Sequence, residues 1–392
     1  MTSPDDLGAQ RWRILASAMV SFFAVGLTFF AVPPLVGPLR AAFALSNLRI
    51  GLLMGAIAAP AIVLSIPFGA ALDRWPPRSA GLAGLGAMLA GAVAFAVAPS
   101  YGWLLAGRLV FGAGALLMNL LLARIIAVAF AGREVALAMG LFTGTYAGSM
   151  IVLFSVHTAL EKALGWRAEM GILALLVLVA IPLHAAVMPR GAPREGGAAA
   201  GDGGGRLPGP LVALGAAWML YFVPFSAIAT FAPEWAGGGA AGLLVTSVIT
   251  WVALFGTPAA GALIDRTGRP TAWCVGGLGL LAATLALMAG RALAAPAAMA
   301  AIGVVASLVP PAFYSLPSRL VPAGRVGLAF GFITALSNLG TVVGPAVAGA
   351  VRDATPEWAA VWGTLAGVAV AAGAVAALAW PPRSRSDPAP TA

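Results

Sequence analysis

The chain has 392 residues, of which 61% are hydrophobic and 9% are charged, whereas soluble domains are about 25% charged. At about 20 apolar residues per spanning helix, this length predicts about 12 membrane spans and excludes a sizeable water-soluble domain. The net charge of +9 does not indicate a nucleic-acid partner, because the arginines lie between apolar runs and form no basic tract. Cys274 is the only cysteine, so an internal disulfide and a thiolate metal site are excluded, and we expect no cofactor.

The predicted elements are apolar runs separated by charged or Pro/Gly-rich breaks. The first residues are polar and carry no cleavage site, so a secretory signal peptide is not expected. The predicted spans are 13–36, 49–72, 79–98, 102–129, 135–160, 166–188, 210–233, 241–264, 271–290, 295–318, 326–350 and 358–380. Because their number is even, both termini are expected on the same side of the membrane.

Basic residues are unevenly divided between the two sets of connecting segments. With the termini inside, fourteen arginines fall in inner segments, and the outer segments hold six basic residues: Arg40, Arg49, Lys162, Arg167, Arg291 and Arg352. Cytoplasmic loops carry the excess of Lys and Arg in membrane proteins. We therefore predict a multi-pass protein of the cytoplasmic (inner) membrane with both termini cytoplasmic.

One long break, rich in Gly and Pro, divides six predicted spans from the next six. We predict an N-terminal six-helix bundle over 1–188, a cytoplasmic linker over 189–209, a C-terminal six-helix bundle over 210–380 and a cytoplasmic tail over 381–392. The composition of the linker favours a flexible connection, with a regulatory or binding role as the alternative.

The two halves share an internal repeat. The loop after span two reads GAALDRWPPR over 69–78, and the loop after span eight reads GALIDRTGR over 261–269. A second match in nearly the same register joins LAMGLFT at 137–143 with LAFGFIT at 328–334. A duplicated six-span unit indicates two helical bundles related by an axis along the membrane normal, with a central cavity between them. The predicted fold class is therefore an all-α membrane protein of two six-helix bundles.

These loops resemble the signature of the major facilitator superfamily, a Gly followed by Asp-Arg and further basic residues. The stretch 107–114 in span four is similar to the Arg-x-x-x-Gly-x-Gly motif of that family. The resemblance covers essentially the whole chain and implies a secondary transporter that works by alternating access. The first loop departs from the family pattern at 75–77, where Trp-Pro-Pro replaces the usual Gly and basic residues.

The charged residues near the predicted inner helix ends are candidates for gating. Asp73 and Asp265 can each pair with an arginine of the other bundle and hold the inner side shut, although Asp-Arg could equally anchor a helix end at the headgroups. Arg124 lies near the inner surface, where snorkelling to the headgroups or a gating contact is expected, with a substrate role as the alternative. The gating candidates are Asp73, Arg74, Arg78, Asp265, Arg266, Arg269 and Arg124.

A charged residue within a span is a functional candidate because burial of a charge in lipid is costly. Arg108 and Asn119 are eleven residues apart in span four, which places them on one helix face. Arg108 could contact the substrate or coupling ion, or it could bond structurally to backbone carbonyls of a neighbouring helix. The substrate-binding candidates are Arg108, Asn119, Tyr146, Tyr314 and Asn338.

Acidic residues are expected only in loops, tails and span ends. Without an embedded carboxylate, the two arginines within spans make the field in the cavity positive, which favours a small anion or a neutral polar solute. His157 could carry a proton, but an interfacial histidine with satisfied hydrogen bonds is the alternative, and the same holds for His184. With two histidines, one cysteine and no GxxxxGK[ST] loop, neither an enzyme nor an ATP-driven pump is expected.

The run from Gly107 through Asn119 and Gly140 to Arg167 resembles the branch of the family that includes cyanate and nitrate permeases. This resemblance implies transport of a small organic or inorganic anion, with a coupled proton or a counter-transported anion. The expected partners are this substrate and the lipid bilayer, with no nucleic acid and no metal, and the chain is expected to be a monomer. The alternatives are an efflux carrier for amphipathic or drug-like compounds and a non-transporting membrane sensor.

Overall fold

The computed structural model describes residues 4–72, 74–130, 134–188, 208–321 and 326–379. Within these ranges the chain is helical and contains no strand. The helices are α1 (Pro4–Phe29), α2 (Val32–Phe43), α3 (Asn47–Gly55), α4 (Ala59–Leu72), α5 (Pro77–Ala96), α6 (Tyr101–Ala129), α7 (Val135–Val187), α8 (Gly209–Trp235), α9 (Gly239–Thr267), α10 (Pro270–Ala289), α11 (Ala295–Tyr314), α12 (Pro317–Leu320), α13 (Val326–Ala354) and α14 (Trp358–Ala379). The predicted all-α membrane fold is confirmed.

In the part of the chain that the structure describes, eleven helical segments are long and apolar enough to cross a membrane. One of them, Leu137–Val187, has 51 residues, about twice the length that a bilayer requires. It turns at Gly165, whose φ of 77° and ψ of 159° are non-helical and suit a residue without a Cβ atom. Helix α7 therefore consists of two limbs, 135–164 and 166–187, which correspond to predicted spans five and six.

The first two predicted spans are broken helices. Span 13–36 consists of α1 and α2, which are separated at residues 30–31, and span 49–72 consists of α3 and α4, which are separated at 56–58. Proline lies in the first turn after each break, at Pro33 and Pro34 in α2 and at Pro60 in α4. Proline has no backbone N–H, so it starts a helix readily but does not continue one.

Each bundle is held by close helix pairs. In the N-terminal bundle α5 packs along α6 and α1 along α7, and in the C-terminal bundle α8 packs along α13 and α9 along α11. Glycine permits the closest approach, because a Cβ atom at Gly91 of α5 would meet the backbone of Gly107 and Phe111 in α6. Small residues at the helix contacts therefore allow close backbone packing, which stabilises helix pairs in a membrane.

The two bundles meet through α3 and α4 against α13, α7 against α9, and α2 against α8. We call the end of the bundles at which α1 begins and α14 ends the terminal end, and the opposite end, where α2 joins α3, the far end. The largest apolar cluster extends from Leu39 and Leu53 of one bundle to Phe231 and Ala348 of the other. The predicted tail 381–392, Asp73 and all of the predicted linker except Pro208 and Gly209 lie outside the described residues.

Candidate functional site

Arg108 is buried inside the N-terminal bundle, with 2% of its surface exposed. Its Nη1 donates a hydrogen bond to the carbonyl oxygen of Thr28. Nη2 donates to Phe29 at 3.2 Å and to Met54 at 3.4 Å, and Nε donates to Leu53 at 3.2 Å. The guanidinium therefore bonds to the last carbonyls of α1 and α3, the two helices that end at the breaks.

These carbonyls need a donor because the helices stop there. The last four carbonyls of any α-helix have no partner in the helix itself, and Pro33 in addition lacks the N–H that would reach Phe29. Arg108 supplies donors to both helix ends at once, and its charge also interacts favourably with their negative dipole ends. These hydrogen bonds have the geometry of the second role considered for Arg108, a structural bond to backbone carbonyls of neighbouring helices.

The space beside Arg108 is too small for a substrate. A cavity of about 10 Å³ lies between Thr28, Gly91, Arg108 and Met170, which is room for one water molecule at most. The hydroxyl Oγ1 of Thr28 is buried without a hydrogen-bond partner. The carbonyl dipoles solvate the charge of Arg108 but do not neutralise it.

Asn119 is exposed on the surface of α6. The exposed apolar side chains Val110 and Val128 lie nine residues to either side of it, which is half a turn around the helix axis. Asn119 therefore lies on the face of α6 opposite these two apolar side chains.

Tyr146 lies against the end of α1, at the break that Arg108 stabilises. Its ring centroid is 5.5 Å from that of Phe22, 5.8 Å from Phe29 and 5.2 Å from Phe30. Its side chain is partly exposed. The structure thus brings Arg108 and Tyr146 to the same helix end, with Arg108 buried and Tyr146 nearer the surface.

Asn338 faces the N-terminal bundle from α13. It is seven residues, or two helical turns, from Pro345 on the same helix face, and the backbone of Pro345 packs closely against Gly51 of α3. The side-chain Nδ2 of Asn338 donates to the carbonyl of Thr334 at 2.8 Å. Asn338 therefore lies on the inter-bundle side of α13, toward the terminal end.

Tyr314 ends an aromatic cluster in the C-terminal bundle that we define as Trp218, Tyr221, Phe313 and Tyr314. The ring of Trp218 stacks on Tyr221 at 5.0 Å and on Phe313 at 4.0 Å, and meets Tyr314 edge-on at 5.4 Å. Trp218 is 1% exposed, whereas Tyr314 is 48% exposed. The cluster gives the exposed Tyr314 a rigid apolar base.

Polar contacts join the two bundles at the far end, and the sequence analysis did not identify them. Arg40 of α2 donates to Glu234 of α8 at 3.3 and 3.4 Å and to Asn47 at 2.7 Å. Asp353 of α13 accepts from the backbone N–H groups of Asn47 and Leu48, each at 2.8 Å. A carboxylate of one bundle thus caps the N-terminus of α3 in the other.

At the terminal end, the candidate gating residues lie near the surface. Arg74, Asp265, Arg266 and Arg269 are exposed, whereas Arg78 and Arg124 are partly buried. A space of about 520 Å³ lies beside the end of α4, lined by Ala70, Ala71, Arg74 and Trp75. Asp73 lies outside the described residues, so its predicted role stays a prediction.

Glu169 is buried although it lies at a span end, where the sequence analysis expected it. It is close to the start of the second limb of α7, and its side chain is 1% exposed. Its Oε1 is 2.8 Å from Nδ1 of His157 in the first limb. The turn at Gly165 folds the limbs together, and this contact covers a carboxylate that the linear sequence placed at the rim.

Twelve apolar helical limbs, arranged as two bundles with polar side chains on the sides that face each other, define a class of multi-span membrane carriers. The sequence model of the Major Facilitator Superfamily matches residues 15–238 and 211–392 of the chain, and the chain belongs to this family. Membership in this family points to a transporter and not to an enzyme.

Two curated proteins are similar to parts of the chain. The lysosomal dipeptide transporter MFSD1 of Danio rerio is 31% identical over 114 residues, which are 28% of this chain and 24% of that protein. Monocarboxylate transporter 11 of Mus musculus is 30% identical over 256 residues, 58% of this chain and 56% of that protein. The matched part of the chain thus spans about a quarter of the length of the first relative and just over half of the length of the second.

Solved structures share the fold. A bacterial homologue of the human lysosomal transporter Spinster, in an inward-facing and unoccupied conformation, has a TM-score of 0.75 at 16% identity, covering 94% of this chain and 95% of that one. A mutant of the nucleoside transporter NupG has a TM-score of 0.78 at 11% identity, covering 95% of this chain and 100% of that one. At these identities the likeness concerns the fold alone.

Proposed function

We propose that this protein is a secondary transporter that moves a small anion, most specifically an organic monocarboxylate, by alternating access. The observation that carries the proposal is the chemistry of Arg108. This cation is buried with backbone carbonyls as its hydrogen-bond partners and no carboxylate among them, so its charge remains as a positive field beside the cavity. The similarity of the chain to monocarboxylate transporter 11 supports the same substrate class.

The substrate site in this proposal lies between the bundles. Asn119 and Tyr146 contact the substrate from the N-terminal bundle, and Asn338 and Tyr314 contact it from the C-terminal bundle. Amide and phenol donors bind the carboxylate oxygens, and the exposed ring of Tyr314, supported by the buried aromatic cluster, packs against the apolar part of the substrate. Arg108 attracts the anion from a distance, while its hydrogen bonds keep α1 and α3 in place.

Two gates complete the cycle. The far-end contacts of Arg40 and Asp353 close one end, and the candidate gating residues named in the sequence analysis close the terminal end when those contacts break. The excess of basic residues in the segments beside the termini supports a cytoplasmic terminal end and insertion in the inner membrane.

A second candidate function is efflux of amphipathic compounds. The exposed ring of Tyr314 favours it, because the buried rings of the aromatic cluster hold it rigidly as an apolar contact for a ligand of drug size. A carrier of this kind would bind lipophilic compounds and would gain little from the field of Arg108.

Ligand-induced thermal stabilisation of the purified protein distinguishes these functions. The probes are pyruvate, lactate, nitrate, uridine, alanyl-alanine and the lipophilic cation tetraphenylphosphonium. We expect pyruvate or lactate to raise the melting temperature of the wild type, and we expect Asn119→Ala and Asn338→Ala to weaken this effect at least tenfold in apparent affinity. The control Thr364→Ala removes a hydroxyl from α14 and should leave the effect unchanged. Stabilisation by tetraphenylphosphonium alone would overturn the proposal in favour of efflux.

A further inference from the structure

Two threonines end the segments that the two halves of the chain repeat. Thr143 is the last residue of LAMGLFT in the first limb of α7, and Thr334 is the last residue of LAFGFIT in α13. Segments duplicated in two bundles that are related by an axis along the membrane normal lie at the same depth on opposite sides of that axis. Both threonines are exposed. They are therefore an equivalent pair of hydroxyls, one in each bundle, and the substrate contacts proposed above do not use them.

Each threonine lies on the side of its helix that meets the other bundle. Thr143 is seven residues, or two helical turns, from Met150, whose sulfur accepts a hydrogen bond from Thr250 of α9 at 3.0 Å. Thr334 is eleven residues, or three turns, from Pro345, whose backbone packs closely against α3. Both hydroxyls thus share a helix face with a contact between the bundles and lie on the terminal side of that contact.

The two hydroxyls differ in what they can offer a ligand. Oγ1 of Thr143 donates its proton to the carbonyl oxygen of Met139 at 2.8 Å, with the carbonyl of Gly140 as a second acceptor at 3.3 Å. Because a hydroxyl has a single proton, Thr143 presents only lone pairs and can accept a hydrogen bond from a ligand. Oγ1 of Thr334 makes no hydrogen bond to another residue that the structure describes, so its proton is available. The pair therefore combines one acceptor with one donor.

We propose that this threonine pair selects a monocarboxylate with a hydroxyl group on the carbon next to the carboxylate, a 2-hydroxy acid. The inference rests on the proposed function and narrows its substrate class. The hydroxyl of the substrate donates to Oγ1 of Thr143, and Oγ1 of Thr334 donates to a carboxylate oxygen. A 2-hydroxy acid carries a donor and an acceptor on adjacent carbons, so it matches both side chains when it lies between the bundles.

The acceptor at Thr143 distinguishes three acids of similar size. Lactate has a hydroxyl on the second carbon, pyruvate has a carbonyl oxygen there, and propionate has neither. The carbonyl oxygen of pyruvate would place its lone pairs against those of Thr143, and propionate would leave Oγ1 of Thr143 without a hydrogen bond from the ligand. Lactate should therefore bind about tenfold more tightly than pyruvate or propionate, which is the effect of one hydrogen bond.

The apparent dissociation constants of the three acids test this preference. They are obtained from ligand-induced thermal stabilisation of the purified protein at a neutral pH, where all three acids are ionised. Thr143→Val removes the hydroxyl and keeps the shape of the side chain, and we expect it to weaken lactate binding about tenfold and to leave propionate binding unchanged. The matched control is Thr145→Val, because Thr145 also donates to a backbone carbonyl, that of Leu141 at 2.8 Å, but lies on the other side of the helix. It should leave the preference for lactate unchanged.

The variant Thr334→Val tests the second half of the pair. The carboxylate that loses its donor is common to lactate, pyruvate and propionate, so all three should bind about three- to tenfold more weakly and the preference for lactate should remain. The control Thr364→Val removes an exposed hydroxyl of α14 and should change none of the affinities. Thr143→Ser and Thr334→Ser keep the hydroxyls and should retain the preference and the affinities of the wild type.

The outcomes separate this inference from the proposed function. Equal affinities of the wild type for lactate and propionate, or a preference for lactate that survives in Thr143→Val, would overturn the inference and leave the anion function intact. Thr143→Ala applies the same criterion if the valine variant does not fold. No stabilisation by any of the three acids would overturn the proposed function and the inference with it.

Discussion

The cap that Asp353 provides to α3 is the contact whose removal should most directly open the far end. Asp353→Ala deletes three hydrogen bonds of 2.8 Å, from the backbone N–H groups of Asn47 and Leu48 and from the side-chain amide of Asn47. Hydrogen bonds to a charged acceptor contribute about 1.5–3 kcal/mol each when buried, but Asp353 is exposed and solvent screens it. We therefore expect the closed far end to lose about 1–2 kcal/mol, a factor of about 5–30 in the closed-to-open ratio.

Distances between spin labels at the far end would measure this ratio. Ser100 in the N-terminal bundle and Ala294 in the C-terminal bundle are exposed in far-end loops, so cysteines at these positions can carry labels. Cys274 is 2% exposed and should remain unlabelled. Pulsed electron spin resonance should give a short distance for the wild type, and Asp353→Ala should increase a longer-distance population about 5–30-fold.

The control for this experiment is Glu357→Ala. Glu357 is an exposed acid close to Asp353 in sequence, and it makes no hydrogen bond to another described residue. Its removal changes the net charge equally, so it should leave the distance distribution unchanged. An unchanged distribution in Asp353→Ala, or an equal change in both variants, would refute the reasoning that this cap holds the bundles together.

Two further substitutions test the packing described above. Arg108→Ala should destabilise the protein by about 3–5 kcal/mol in thermal or denaturant unfolding, because four buried carbonyls lose their hydrogen bonds to the guanidinium. Arg108→Lys should recover only part of this loss, and an Arg108→Ala variant with wild-type stability would contradict the structural role. Gly51→Ala should lengthen the far-end label distance, because its Cβ atom would meet the backbone of Pro345 across the bundle interface, whereas Gly86→Ala, with open space around it, should not. Equal distances in both glycine variants would show that this contact is not tight.

Much of the fold follows from apolar run lengths and charged breaks. The predicted spans from 79–98 onward agree closely with the helices, because each break carries Arg, Asp or Pro/Gly clusters that lipid does not tolerate. The breaks inside spans one and two were missed, although Pro33 and Pro60 mark them in the sequence. Hydropathy does not report such breaks, because the residues on both sides of them are apolar. The carbonyls that the breaks leave unpaired accept hydrogen bonds from Arg108, which lies in a distant part of the chain.

The candidate site was less predictable, because its chemistry depends on which side chains meet. The side chain of Arg108 was a candidate for two roles, and only its carbonyl partners distinguish them. The sequence places Glu169 at a span end, and its burial depends on the turn at Gly165, which brings it against His157. Asp353 and Asn47 are 306 positions apart, so no local pattern could pair them.

Counterflow in proteoliposomes tests the central claim most directly. Vesicles that contain the purified protein are loaded with unlabelled pyruvate and diluted into a trace of labelled pyruvate, with uridine and alanyl-alanine compared in parallel. A carrier for monocarboxylates should give a transient accumulation of label that empty vesicles lack and that Asn119→Ala and Asn338→Ala reduce. Accumulation of labelled uridine or dipeptide, with none for pyruvate, lactate or another monocarboxylate, would contradict the assignment of a small organic anion as the substrate.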